Sequence, residues 1–348
     1  MQTLELDAAV ISARHHVYWL TGHEAFWLHE AAVVLRADGH CTLISGNAPN
    51  PAAAADRHLS FEASWFSTQR QEQPAAVAAA VKEAMGPARR VGFDASAVGS
   101  QLRADDSANW VPIDDTLHQL RRRKEPDELA LMRKAIACTE AMYARARQII
   151  EPGVEELTVF TELHAAAVRA AGGPLSPMHL GNDFACGAGG GAPRAGRPAA
   201  AGELYILDLG PAVHGYFADN ARVIAVDRQP TDAQLHAWNT IVGVFPIIEA
   251  AARPGVRCRD LFHAGSEHLR AATGNPLGHH LGHGVGLQPH EFPHINPRWD
   301  DVLEIGEVFT IEPGIYGPEL RGGIRLENQY LVTANGVENL TPFDLRLT

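Results

Sequence analysis

GELYILDLG, Gly202 to Gly210, returns 104 positions later as GEVFTIEPG, Gly306 to Gly314, and each copy carries an acid at the same place: Asp208 in the first, Glu312 in the second. A strand interior favours apolar residues, because a buried carboxylate loses its hydration. A duplicated strand that keeps its acid predicts a site shared between two halves of one domain. The copying extends upstream at an offset of 102, where Pro152-Gly153-Val154 returns as Pro254-Gly255-Val256, Phe160 as Phe262 and Gly172 as Gly274. Each copy continues as a helix-like stretch, a glycine stop, a strand ending in an acid, and a further strand carrying another acid: Asp219 in the first half, Glu327 in the second.

At 348 residues the chain is long enough for two domains. Residues 1–118 alternate strand and helix patterns, and residues 119–348 hold the repeat. Hydrophobic residues make up 46 % and charged residues 20 %, the composition of a globular protein. A net charge of −12 speaks against nucleic acid as a partner, since phosphate binding needs a cationic surplus. The one strong basic run, Arg121 to Lys124, is followed at once by Glu125, Asp127 and Glu128 and reads as a solvated linker or helix start. The start, MQTLELD, lacks the pattern of a secretory signal, and no window is apolar enough to span a bilayer, so a cytoplasmic protein without membrane contact is expected. The four cysteines, Cys41, Cys138, Cys186 and Cys258, show no CxxC spacing and read as reduced and structural.

Along the chain, AAVVLRADGHCTLIS reads as a hairpin turning at Asp38-Gly39, Pro74 to Met85 as a helix, and RVGFDAS from Arg90 as a buried strand. A long helix opens at Pro126 with acids in its first turn and stops before Pro152-Gly153; a second runs from about Glu155 to Ala171. A third begins at Thr231, with Gln234 completing a capping box. Ala185 to Ala201, rich in glycine, proline and alanine, reads as a loop, and nothing in it matches a phosphate cradle.

Asp208, Asp219, His283, Glu312 and Glu327 offer four hard oxygen donors and one imidazole, a set suited to a pair of divalent cations. Four carboxylates brought together cannot all ionise at neutral pH unless roughly two such cations neutralise them. Five histidines fall between His279 and His294. Of these His283 ranks first as a ligand and His290 second, with His279, His280 and His294 below. The glycines alternating through HHLGHGVGLQPHE are read as letting the backbone approach a bound group.

The strings DLG with a second Asp eleven residues on, GHGVGLxxHE, TIEPGIY and GGIRLEN, in this order, resemble the pita-bread metallopeptidases, the family of methionine aminopeptidase, aminopeptidase P, prolidase and creatinase. Residues 1–118, with YWLTG at Tyr18 to Gly22, are similar to the small N-terminal domain of the prolidase, aminopeptidase P and creatinase branch. The resemblance implies an α/β fold: a duplicated pita-bread catalytic domain with pseudo-two-fold symmetry, preceded by a smaller α/β creatinase-like domain. It implies that Asp208 binds one metal, His283 and Glu312 the other, and that Asp219 and Glu327 bridge them. A metal-bridged water then attacks the scissile carbonyl, Glu312 carries the proton, and His290 hydrogen-bonds the substrate or the developing oxyanion. Arg325 orients a carboxylate. Two ions per chain are expected, Mn²⁺ first, with Co²⁺, Zn²⁺ or Fe²⁺ also suited to the donors.

Two positions depart from the family pattern. Arg194, after Pro193, stands where most of these peptidases have a histidine near the scissile bond, and is assigned to substrate binding. Ala221 replaces the usual threonine before Arg222. Arg321, beside Gly322-Gly323, is assigned to a substrate carboxylate. The expected activity is hydrolysis of the Xaa-Pro bond of dipeptides or short peptides by a homodimer, with Tyr18, Trp19, His23 and Trp27 as further substrate-wall positions. The alternatives are a hydrolase of a small amide or amidine metabolite on the same fold, as creatinase and ectoine hydrolase are, and a binding protein that has lost activity.

Overall fold

The computed structural model describes residues 1–48, 51–94, 108–176 and 181–348. It divides into two compact units, Met1–Gln119 and Leu120–Thr348. The first is a six-stranded mixed sheet in the order β4-β3-β2-β1-β5-β6, formed by β1 (Ala8–Ile11), β2 (Ala31–Arg36), β3 (Cys41–Gly46), β4 (Arg57–Phe61), β5 (Arg90–Phe93) and β6 (Asn109–Pro112). The hairpin read at Asp38-Gly39 joins β2 to β3, with Gly39 at φ 90°, where only glycine is unstrained. Helices α1 (Arg14–Thr21) and α2 (Gln73–Met85) belong to this unit, and α3 (Asp114–Arg121) runs across its end at Gln119. Ala95 and Ser96, at the end of the predicted strand, lie outside the described residues.

The second unit opens with α4 (Pro126–Ile149), whose start is fixed by Pro126 in the first turn and a reciprocal cap between Glu125 and Glu128. It packs with α5 (Glu156–Ala171) over a sheet ordered β9-β8-β7, made of β7 (Gly181–Cys186), β8 (Leu204–Leu209) and β9 (Asn220–Ala225). β7 takes in Ala185 and Cys186, so the predicted loop begins two residues later than read. The capping box at Thr231 and Gln234 starts α6 (Asp232–Val242); after Gly243 the path continues as α7 (Val244–Ala251), and α8 (Cys258–Thr273) follows. These cover the second sheet, ordered β11-β10-β12-β15-β16, built from β10 (Gly282–Gly284), β11 (Glu291–Ile295), β12 (Val308–Ile311), β15 (Asn328–Thr333) and β16 (Gly336–Asn339). A hairpin of β13 (Gly314–Gly317) and β14 (Gly322–Arg325) links β12 to β15.

The repeat in sequence is a repeat in topology. β8 lies between β9 and β7, and β12 lies between β15 and β10. Strand periodicity of two then aims the acids. On β8, Tyr205, Leu207 and Leu209 enter the core under α4 and α5, whereas Leu204 and Ile206, in phase with Asp208, join the core of the other half. The two halves are stitched where the Glu327 amide donates to the Ala221 carbonyl at 3.0 Å and the Asp219 amide to Gln329 Oε1 at 3.3 Å.

The basic run is not the solvated linker its sequence suggests. Arg121, Arg122 and Lys124 are buried: Arg121 pairs with Glu291, Lys124 sits 3.1 Å from the same carboxylate, and Arg122 pairs with Glu307, which is fully buried. The acids that neutralise them lie some 170 residues away in sequence, so the local charge pattern gave no sign of them. Only Arg123 extends into solvent.

Candidate metal centre

The five residues singled out from the sequence converge. His283 Nε2 lies 3.3 Å from Glu312 Oε1 and 3.8 Å from Asp219 Oδ2, and one donor atom each from Asp219, His283 and Glu327 lie within 4.8 Å of one another. Asp208 is drawn in by Arg325, whose guanidinium donates to Asp208 Oδ2 at 2.6 Å, stands 3.8 Å from Glu312 Oε2 and also pairs with Asp183. All five are nearly fully buried.

His283 Nδ1 lies 3.1 Å from the carbonyl oxygen of Gly284, an acceptor only, so it carries the proton and Nε2 presents a lone pair to the carboxylates. The glycines beside it serve a different purpose from the one read in the sequence. A Cβ at Gly282 would run into the Thr310 carbonyl, and one at Gly284 into the Phe292 carbonyl. They admit neighbouring strands, not a ligand.

Burial, reinforced by the neighbouring carboxylates, pushes Asp219 and Glu327 well above the ordinary carboxylate range; Asp208 is raised by burial and by Glu312, with Arg325 opposing. Glu312 is also buried, but the hydrogen-bonded His280 and the adjacent His283 ring outweigh that and hold it low. Such a set lacks positive charge. Asp208 Oδ1 and Glu327 Oε2 are buried without a hydrogen-bond donor among the described residues. Unsatisfied carboxylate oxygens and an imidazole lone pair facing one point fit divalent cations.

His290 stacks on His283 with ring centroids 3.6 Å apart and planes 14° from parallel. The residue is exposed to solvent. Loss of hydration against the neighbouring rings, then the proximity of His283 and His280, lowers its pKa to about 4.

The remaining assignments separate. Arg194 is not brought to the cluster: its guanidinium donates to Glu156 Oε2 at 2.9 Å, to Glu156 Oε1 at 2.5 Å and to the Cys186 carbonyl at 2.7 Å. Those bonds commit it to α5 and the end of β7, because Glu156 is fully buried and needs a cation. Arg321 is exposed at the turn between β13 and β14, with its guanidinium over Gly202. Gly202 lies in the turn before β8, and Asp208 lies near the other end of that strand, so Arg321 is placed away from the cluster.

Sequence reading missed several contributors. Asp183 lies opposite Asp208 in the β7–β8 register and shares Arg325 with it. Its strand is the topological counterpart of β10, which carries His283, so the duplication could have pointed to it. His280, ranked below His283 and His290 from the sequence, has Nε2 2.9 Å from Glu312 Oε1, and the unforeseen Tyr316 accepts from Arg325 at 3.2 Å. Arg222 is buried and holds the carbonyls of Glu327, Ala221, Thr341, Phe343 and Asp344, fixing the backbone behind Glu327. Burial lowers its pKa to about 10, which still leaves it charged at neutral pH.

A family model described as metallopeptidase family M24 matches residues 130–334, and one described as the creatinase/prolidase N-terminal domain matches residues 1–123. The chain belongs to metallopeptidase family M24. An uncharacterized peptidase of Bacillus subtilis (strain 168) is 28 % identical to this M24 chain over 262 residues, 73 % of each protein. A Xaa-Pro dipeptidase of Pyrococcus furiosus is 31 % identical over 68 % of this chain and 67 % of its own. The solved prolidase from Pyrococcus furiosus superposes with a TM-score of 0.83 at 24 % identity, over 99 % of this chain and 98 % of that one, showing the shared pita-bread fold. Membership of the family implies divalent metal ions, and the converging donors are chemically suited to them.

Proposed function

We propose that this M24 metallopeptidase hydrolyses the Xaa-Pro bond of dipeptides or short peptides, with two divalent ions held by Asp208, Asp219, His283, Glu312 and Glu327. The observation that carries the reading is the convergence of four buried carboxylates and one imidazole lone pair, with Asp208 Oδ1 and Glu327 Oε2 satisfied by no described residue. The Pyrococcus furiosus Xaa-Pro dipeptidase supports the choice of bond. Mn²⁺ suits the carboxylate-rich set, and Co²⁺, Zn²⁺ or Fe²⁺ match the imidazole as well.

Bound divalent ions supply Lewis acidity and lower the pKa of water. The chain's own groups do the rest. Arg325 keeps Asp208 and Asp183 oriented, and Arg222 and the Asn220 amide fix the Glu327 carbonyl. Glu312, held low by its histidines, accepts a proton from the attacking water and passes it to the leaving nitrogen. His290, neutral above about pH 4, can donate from its exposed edge to the oxygen on which charge develops, a contact typically worth ~3 kcal/mol in the transition state.

The rival reading, a hydrolase of a small amide or amidine, draws its support from Arg194 in place of the usual histidine, and that arginine is held by Glu156. The protein is also proposed to be a homodimer, for which the exposed Phe26, Trp27 and Leu28 supply an apolar face. The deciding experiment is hydrolysis of Ala-Pro, Gly-Pro and a tripeptide with proline second, by metal-stripped protein refilled with Mn²⁺, Co²⁺ or Zn²⁺, beside Glu312→Ala. Metal-dependent release abolished in the variant is expected. No turnover by fully loaded protein would overturn the Xaa-Pro reading in favour of small amides.

A further inference from the structure

A second convergence of imidazoles lies in the N-terminal unit, remote in sequence from every catalytic residue. His15 and His16 begin α1 and His118 lies on α3, and one ring nitrogen from each falls within 4.8 Å of the others. The rings of His15 and His16 are 4.1 Å apart between centroids, and those of His16 and His118 are 5.6 Å apart.

His16 shows what the group is built to do. It is 1 % exposed, its Nδ1 lies 3.3 Å from Asp94 Oδ2, and its Nε2 is buried without a hydrogen-bond partner. Asp94 is itself locked, accepting from the Ser12 amide at 3.0 Å and the Ala13 amide at 2.7 Å just beyond β1. Those bonds, with the one from His16, hold the Asp94 carboxyl below its usual range against the opposing effect of burial. An ionised carboxylate only accepts, so the imidazole proton sits on Nδ1 and Nε2 keeps a free lone pair. A carboxylate behind a histidine, fixing its tautomer and ring orientation, is the usual support of a metal-binding imidazole.

We propose that His15, His16 and His118 form a second metal site, for a transition-metal ion of the Zn²⁺ class, with Asp94 as the positioning residue behind His16. Three nitrogen donors suit Zn²⁺, Co²⁺ or Ni²⁺ and disfavour Mg²⁺ or Ca²⁺. Donors on one tetrahedral ion lie about 3.4 Å apart, so small side-chain rotations close the site and leave a fourth position for water. The ion ties the start of α1 to α3 and, through Asp94, to the end of β5. Its donors differ from the carboxylate-rich catalytic set, so the two sites are separable.

The test uses the full chain carrying Asp219→Ala, His280→Ala, His283→Ala and Glu327→Ala, which breaks each donor group at the catalytic centre, stripped of metal and titrated with Zn²⁺ or Co²⁺. About one equivalent is expected to bind, with the visible absorption of tetrahedral Co²⁺ and a rise in melting temperature. Adding His118→Gln abolishes all three signals, and adding Asp94→Asn weakens binding about 10- to 100-fold. The half-buried His118 is the safer probe of folding, and circular dichroism of the metal-free variants confirms that each is folded. No bound equivalent in the cluster-disabled chain, or binding and spectrum unchanged by His118→Gln in a folded variant, overturns the proposal.

Discussion

At the scale of single residues, Arg325 and Arg194 show how little a side chain's identity says about its task. Both are arginines near glycine-rich sequence, yet Arg325 joins Asp208 and Asp183 while Arg194 neutralises Glu156. Arg325→Met is expected to cut kcat/KM about 10- to 100-fold, with Arg325→Lys restoring part of it, because a lysine cannot reach two carboxylates at once; steady-state kinetics with metal titration reads this. Arg194→Ala should leave hydrolysis intact at neutral pH and lower stability instead. The Glu156 carboxyl is brought down from the usual 4.5 to about 2, against burial, by the bond from Arg194 and by backbone donors. A depressed acid stabilises the fold above its unfolded value, and that contribution disappears as pH falls from about 4.5 to about 2. Denaturant unfolding should therefore show wild type and Arg194→Ala converging as pH is lowered through that window. A constant gap would assign the effect to packing.

At the scale of elements, the decisive contacts join segments far apart in the chain. The helices were legible because their signals are local: Pro126 and Glu128 at one N-terminus, Thr231 and Gln234 at another. The buried ion pairs of Arg121, Arg122 and Lys124 were not legible, since charge spacing cannot report a carboxylate that arrives from another strand. Removing one member leaves an uncompensated charge, so Glu307→Ala is expected to cost ~3–5 kcal/mol, whereas Arg122→Met with Glu307→Leu should recover most of it. Chemical denaturation of the two proteins distinguishes a charge effect from lost packing.

At the scale of the whole molecule, the duplicated halves store electrostatic strain that metal relieves. Burial and mutual repulsion raise Asp219 above its usual 3.8, so the metal-free protein binds protons that the unfolded chain releases. Its stability should therefore fall as pH rises above about 3.8. Bound divalent ions should remove that dependence and raise the melting temperature with concentration. Asp219→Asn is expected to melt higher than wild type without metal and to gain nothing when metal is added. Calorimetry with and without a chelator tests both halves of that statement.

The sequence by itself determined the duplication, the family and the five side chains that the fold brings together, because each rests on short strings in which a strand period or a motif spacing is complete within a few residues. Only the tertiary structure decided what the remaining charges do. Asp183 became a partner of Arg325 through a strand register, Arg194 was claimed by a fully buried glutamate, Arg321 was carried to the far end of a hairpin, and His15, His16 and His118 were gathered from two helices. The reason is physical: covalent spacing sets which residues share a face of one element, but the energy of a buried charge or a lone pair depends on what other elements bring to within a few ångströms of it.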